Sequence, residues 1–162
     1  MAKENINSKK GFTIIEVVLV LAIAGLIFLM VFVALPALQR SQRDTQRRQD
    51  YADFSAAISS YITNNNGRLP TTTTTLEADR YINSTGEDPN GTKYTIQIVE
   101  ATNALDSSSI AEPTEGVVVL YTHANCDETG ATGNAAPGYD ARSKAYAIYG
   151  YLESGSYCQS SN

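Results

Sequence analysis

The first residue that could do chemistry is a carboxylate in the wrong solvent. In "KKGFTIIEVVLVLAIAGLIFLMVFVALP", residues 9–36, Glu16 stands four residues inside an otherwise apolar run. Carrying such a group into hydrocarbon costs about 2.5–3.5 kcal/mol on insertion scales, so it needs a partner or a route to the headgroups. Cys126 and Cys158, the only cysteines, are the second candidates. In a membrane-anchored chain they point to a disulfide made in an oxidising compartment. The alternative is two free buried thiols; the bridge is preferred because the region between them is poor in core-forming residues. The remaining inventory is thin. His123 is the single histidine and there is no C-x-x-C pair, so neither a metal nor a cofactor is expected. "GEDPNGT" (86–92) offers oxygen ligands without an EF-hand pattern, which argues against calcium. No G-x-S-x-G motif supplies a nucleophile, so a membrane-anchored surface enzyme is the most remote reading.

The elements that must carry these residues follow from hydropathy and spacing. Val17 to Leu35 is 19 residues without a charge, a helix of roughly 29 Å, close to the thickness of a bilayer's hydrocarbon core. The run is too long for a secretory signal, and no A-x-A site follows it promptly. Next, "QRSQRDTQRRQD" (39–50) is polar on every side, without Gly or Pro, and tolerates helix. Tyr51, Phe54, Ile58, Tyr61 and Ile62 then recur at spacings of 3 and 4, one stripe of an amphipathic helix. "NNNGRLP" (64–70) ends it with residues suited to a left-handed cap. The pattern predicts one helix from about Phe12 to Asn65, apolar all round in its first half and one-sided in its second.

Beyond it the chain reads as strands. "KYTIQIV" (93–99) alternates, with Tyr94, Ile96 and Ile98 on one face; "GVVVLYT" (116–122) is continuously apolar; "KAYAIYGYL" (144–152) puts Tyr146, Ile148 and Leu152 on one face. These predict an antiparallel meander whose apolar face receives the helix stripe. The run Thr71–Thr75 suits a strand or a loop, and 127–142, with three Gly and a Pro, reads as loop. The expected fold is α+β: a membrane segment 12–38, an amphipathic continuation 39–65, and a small antiparallel-sheet domain 66–162.

Charge sharpens the functional limits. Residues 1–64 hold seven basic and five acidic residues, while 65–162 hold five basic and twelve acidic, so the second part carries −7. An acidic domain repels nucleic-acid phosphates on average, which argues against direct nucleic-acid binding. Basic residues flank the apolar run on both sides, Lys3, Lys9 and Lys10 before it and Arg40, Arg43, Arg47 and Arg48 after it, so the charge count does not set orientation. Those arginines have two readings, contacts between subunits opposite Asp44, Asp50 or Asp53, or a solvated polar neck.

Lys9-Lys10-Gly11 followed by Phe12-Thr13-Ile14-Ile15-Glu16 and a long apolar helix resembles the class III signal of type IV prepilins and pseudopilins. The resemblance is carried by residues 9–38; beyond them only the plan matches, a long helix, a sheet, and a disulfide closing a C-terminal loop, here 126–158. It implies that a prepilin peptidase removes a leader, 1–11, by cutting between Gly11 and Phe12 on the cytoplasmic side, and that Phe12 is N-methylated. The new amine at Phe12 lies one helical turn from Glu16, in the same chain or a neighbour, and pairing the two would remove two buried charges and fix axial register. The resemblance further implies a helical homopolymer built by pilus assembly machinery. The precursor would sit in the cytoplasmic membrane and the filament would act outside in adhesion, twitching or DNA uptake. Pseudopilins of secretion or competence machines share the signal, and a minor pilin would as well. Gly25 matches the usual place of a flexible glycine, and Pro36 lies about one turn beyond the proline common in the family.

Overall fold

The computed structural model describes residues 11–73, 76, 86–102, 110–127 and 136–161. The chain divides into two units, Met1–Gln39 and Arg40–Asn162. One helix, α1 (Ile14–Asn64), contributes to both.

In the first unit, residues 11–13 are non-helical and exposed, and the Thr13 carbonyl accepts the Glu16 and Val17 N–H groups at 3.1 and 3.3 Å. That makes Thr13 the residue that opens α1. Beyond Glu16, from Val17 to Leu38, the large side chains are apolar on every side and exposed. By length and composition this part of α1 suffices to cross a membrane. The helix continues through Gly25 and Pro36. Proline supplies no N–H, so the ladder lacks one bond there.

In the second unit the predicted stripe is realised. Tyr51, Ile58, Tyr61 and Ile62 are buried, with Phe54 half-buried beside them. They pack against Val118 and Leu120 of β2 (Val117–Thr122) and Tyr146, Ile148 and Leu152 of β5 (Tyr146–Leu152). The sheet order is β1 (Thr95–Glu100), β2, β5, β6 (Gly155–Ser160). Tyr94, Ile96 and Ile98 extend the same core, on the face their alternation predicts. The helix ends as "NNNG" requires. Asn66 and Gly67 both take positive φ, 54° and 80°, and the Gly67 N–H returns to the Ile62 carbonyl at 2.8 Å, a Schellman closure.

The sheet departs from a simple meander in direction. β2, β5 and β6 are antiparallel neighbours, but β1 runs parallel to β2. Alternation assigns a strand its buried face and says nothing about its direction, which the crossing segment between β1 and β2 decides. A second, two-stranded sheet pairs β3 (Ala124–Asp127) with β4 (Ala136–Tyr139). The segment 127–142 is therefore not all loop: Pro137 lies in β4 opposite Cys126. A proline is tolerated there because both strands of a two-stranded ribbon are edges. The far side of β5 faces this ribbon, where Ala101, Ala124 and Ala147 form a small cluster with Tyr121 and the two cysteines. β5 is covered on both faces, and six of its seven residues are buried, which marks it as the central strand. Residues 1–10, Thr74 and Thr75, and 128–135 lie outside the described residues.

Close approach sets one glycine. A Cβ on Gly150 would stand 2.5–2.8 Å from the Tyr51 ring. Tyr51 can lie flat on β5 only over a residue without a side chain, and its hydroxyl donates to the Tyr151 carbonyl at 2.8 Å.

Candidate functional site

The residues expected to act at the N-terminus fall together by sequence and by exposure. Gly11 has nothing within 4 Å of the position a Cβ would take, and Phe12 is 85 % exposed. The bond joining them therefore lies in an accessible, non-helical stretch, which a peptidase needs in order to draw the backbone into its own site. Glu16 occupies the first turn of α1. A carboxylate is favoured there by the free N–H groups and the helix dipole, by about 0.3–1 kcal/mol. Thr13 and Glu16 also stand in the T-x-x-E spacing of a capping box. Their first-turn placement gives Glu16 a local reason to be where it is, in addition to any partner outside the chain. Lys9 and Lys10 lie outside the described residues.

Cys126 on β3 and Cys158 on β6 are bonded, with Cα atoms 5.8 Å apart and a sequence separation of 32. The ring they close is more than a loop, because it contains β4 and β5. It ties the two-stranded ribbon to the edge of the main sheet. For a loop of that length the chain-entropy relation gives roughly 3–4 kcal/mol. Cys158→Ser is expected to lower unfolding free energy by about that amount, measured by urea denaturation of the oxidised protein. An unchanged midpoint and slope would show that the ribbon is held by its packing alone.

Of the arginines after the apolar run, Arg43 and Arg47 are committed within the chain rather than solvated. Arg47 has no exposed surface at all. Its Nε and Nη2 meet the Asp88 carboxylate at 2.6 and 3.0 Å, a bidentate pair, while Glu115, Glu153 and Asp44 stand at 3.3–3.4 Å. Arg43 pairs with both oxygens of Glu153. The Asp44 carboxylate accepts the N–H groups of Glu153 and Ser154, in the turn between β5 and β6, at 2.8 and 3.1 Å. Arg48 lies over the Tyr157 ring, 5.4 Å from its centroid. Arg40 is the outermost, its side chain 70 % exposed and its Nε 3.9 Å from Glu153. The cluster locks one face of α1 to the 88–91 turn and to the β5–β6 turn. Sequence reading missed it; the available signals were Asp44 and Arg47 on one helix face and a D-P-N-G turn that presents an aspartate.

This cluster sets its own ionisation. Burial raises the Asp88 carboxyl, but the Arg47 hydrogen bonds and the Asn90 N–H outweigh it and hold the group below the ordinary range. Hydrogen bonding from Arg43, opposed by burial and aided by Arg47, brings Glu153 down to about 2. Asp50 moves the other way, raised by burial and by neighbouring carboxylates against the Tyr94 hydroxyl, which donates to it at 2.9 Å. Depressed carboxyls stabilise the fold above their unfolded values, about 4, and that contribution is lost as pH falls through the folded values. Asp50 opposes this over its own range, one group against three, since Asp140, hydrogen-bonded by Arg142, is depressed as well. Unfolding midpoints are expected to be level above about pH 5 and to fall steadily towards pH 2. A level midpoint down to pH 3 would show that the cluster adds no net stability.

Residues 6–32 match the family model described as the prokaryotic N-terminal methylation motif. No curated protein and no solved structure matches the chain. Among the described residues no group of three or more His, Cys, Asp or Glu is placed to hold a metal. The matched stretch spans the exposed Gly11–Phe12 bond, Glu16 in the first helical turn and the start of the exposed apolar helix, and the chain carries the class III N-terminal signal of type IV pilins and pseudopilins.

Proposed function

We propose that the chain is a structural subunit of a type IV pilus. It is inserted in the cytoplasmic membrane as a precursor, cut after Gly11, methylated at Phe12, and polymerised through the apolar part of α1 into a surface filament. Glu16 pairs with the Phe12 amine of a neighbouring subunit, and Gly25 and Pro36 are the points at which the helix yields as it packs. The observation that carries this reading is the methylation motif over 6–32, followed by a helix whose apolar surface finds no cover within its own unit. In hydrocarbon that surface is at home; out of the membrane it must be buried against copies of itself.

A pseudopilin would carry the same signal. The Cys126–Cys158 bridge favours the pilin, as does Asp88, whose carboxylate is committed to Arg47 rather than free for a cation. The test is mass spectrometry of filaments sheared from the cell surface. An abundant chain beginning at N-methylated Phe12 is expected. Filaments that lack the chain, or that contain it with Met1 in place, would overturn the reading.

A further inference from the structure

Asn90-Gly91-Thr92 is an N-x-Thr triplet with glycine, not proline, in the middle. Such triplets accept N-linked sugar when an exported chain presents them at its surface. Many occur by chance, so placement decides. This one sits at the tip of a tight turn: the Gly91 N–H bonds to the Asp88 carbonyl and the Asp88 N–H to the Thr92 carbonyl, both at 2.7 Å. Asn90 and Thr92 are both exposed. Gly91 has a φ of 82° and nothing within 4 Å of its Cβ position, so the backbone of the triplet is open to an enzyme. The base of the turn is rigid, because Asp88 is fixed by Arg47. An amide nitrogen carries two N–H groups. Nδ2 of Asn90 directs one at Glu115, which orients the amide and leaves the other free.

We propose that Asn90 is an N-glycosylation site. The acceptor atom is Nδ2 and the donor is an oligosaccharide linked through pyrophosphate to a polyprenyl lipid. A bond forms between Nδ2 and the anomeric carbon, the bond from that carbon to the phosphate oxygen breaks, and the lipid pyrophosphate leaves with the electron pair. Nδ2 gives up one proton to a base of the transferase, and nothing is oxidised or reduced. The same turn protects the asparagine from deamidation, since the Gly91 nitrogen that would attack its side chain is held by the Asp88 carbonyl. The inference rests on the exported placement of the second unit given above.

The test uses protein taken from the surface of the cells that make it. Trypsin, cutting after Arg80 and Lys93, releases residues 81–93, which contain this triplet and a second one, Asn83-Ser84-Thr85, outside the described residues. Electron-transfer fragmentation is expected to place a saccharide mass on Asn90. Asn90→Gln and Thr92→Val should abolish it, while Thr92→Ser and Asn83→Gln should keep it. Glutamine retains an amide for Glu115, and the Val and Ser variants together separate loss of the hydroxyl from loss of the fold. An unmodified Asn90 in the native protein, or the whole saccharide mass of the native peptide persisting unchanged in Asn90→Gln, would overturn the site. Filaments of unglycosylated chains beginning at Phe12 would overturn it while leaving the pilin reading intact. A glycosylated chain that retains Met1 would do the reverse.

Discussion

Glu16→Ala is expected to leave a processed, membrane-resident protein and few filaments. The substitution makes the apolar run more apolar, so insertion is kept or improved. The Gly11–Phe12 bond is four residues upstream and untouched, so cleavage should continue. On the proposed pairing, what is lost is the partner of a neighbour's Phe12 amine. Leaving one charge of a buried pair alone costs about 3–5 kcal/mol. Each 1.4 kcal/mol is tenfold in an equilibrium constant, so subunit addition should fall by roughly a hundredfold or more. Glu16→Gln separates charge from shape, since it keeps the side-chain length and hydrogen bonding. If the carboxylate only completes the first turn of α1, the loss is the few tenths to 1 kcal/mol of a cap or dipole contact, and filaments survive. Immunoblots of membrane and sheared fractions distinguish the two outcomes. Normal filament numbers with Glu16→Ala would reduce Glu16 to its local role.

Arg47→Met should cost the fold about 3–5 kcal/mol. Methionine approximates the aliphatic stem and carries no charge, so the substitution removes the cation with little change in packing volume. Asp88, fully buried, then has no counter-charge, and Asp44, Glu115 and Glu153 lose a shared one. For a domain of this size the loss corresponds to roughly 10–20 °C in melting temperature. The cluster also predicts its own rescue. Adding Asp88→Asn removes the stranded carboxylate, so the double variant should be more stable than Arg47→Met alone, a coupling that independent sites would not show. Thermal melts of the full chain in detergent, followed by circular dichroism, measure both. Additive losses would mean that Arg47 contributes by filling space.

How much of this was legible in the sequence varies with the kind of interaction. Side-chain periodicity reports burial, so the stripe Tyr51, Phe54, Ile58, Tyr61 and Ile62 and the inward faces at Tyr94, Ile96, Ile98 and at Tyr146, Ile148, Leu152 could be placed in advance. The cap at Asn66 and Gly67 was readable because few residues tolerate positive φ. The bridge between Cys126 and Cys158 was readable from composition, and the structure has it. Backbone pairing is less visible. β6 and β4, GSYCQS and APGY, carry almost no apolar pattern and are strands only because β5 and β3 offer them hydrogen bonds. The parallel direction of β1 is set by chain crossing, which leaves no trace in alternation. The ion cluster was hidden for another reason. A polar run in sequence looks solvated, and only the fold brings Asp88 across to Arg47, 41 positions away. At the N-terminus the motif was legible by resemblance, whereas the T-x-x-E spacing that gives Glu16 a local function is visible in the sequence and went unread.

The central place of β5 has a consequence for the order in which the domain can be made. Chains are synthesised from one end to the other. The helix stripe emerges early, but the surface it needs emerges late: Ser59 meets Tyr146 across 87 positions, and Tyr51 meets Tyr151 across 100. Until β5 arrives, β2 has no antiparallel neighbour, Asp44 has no turn to hold, and Cys126 has no mate. Contacts this distant slow folding, because the intervening chain must be closed before any of them contributes. The cover over Tyr51 and Ile58 is therefore complete only when the last third of the chain has been made. A chain that ends before residue 146 can still pair β1 with β2 and β3 with β4, but it lacks the one strand that joins the helix, the main sheet and the ribbon into a single core.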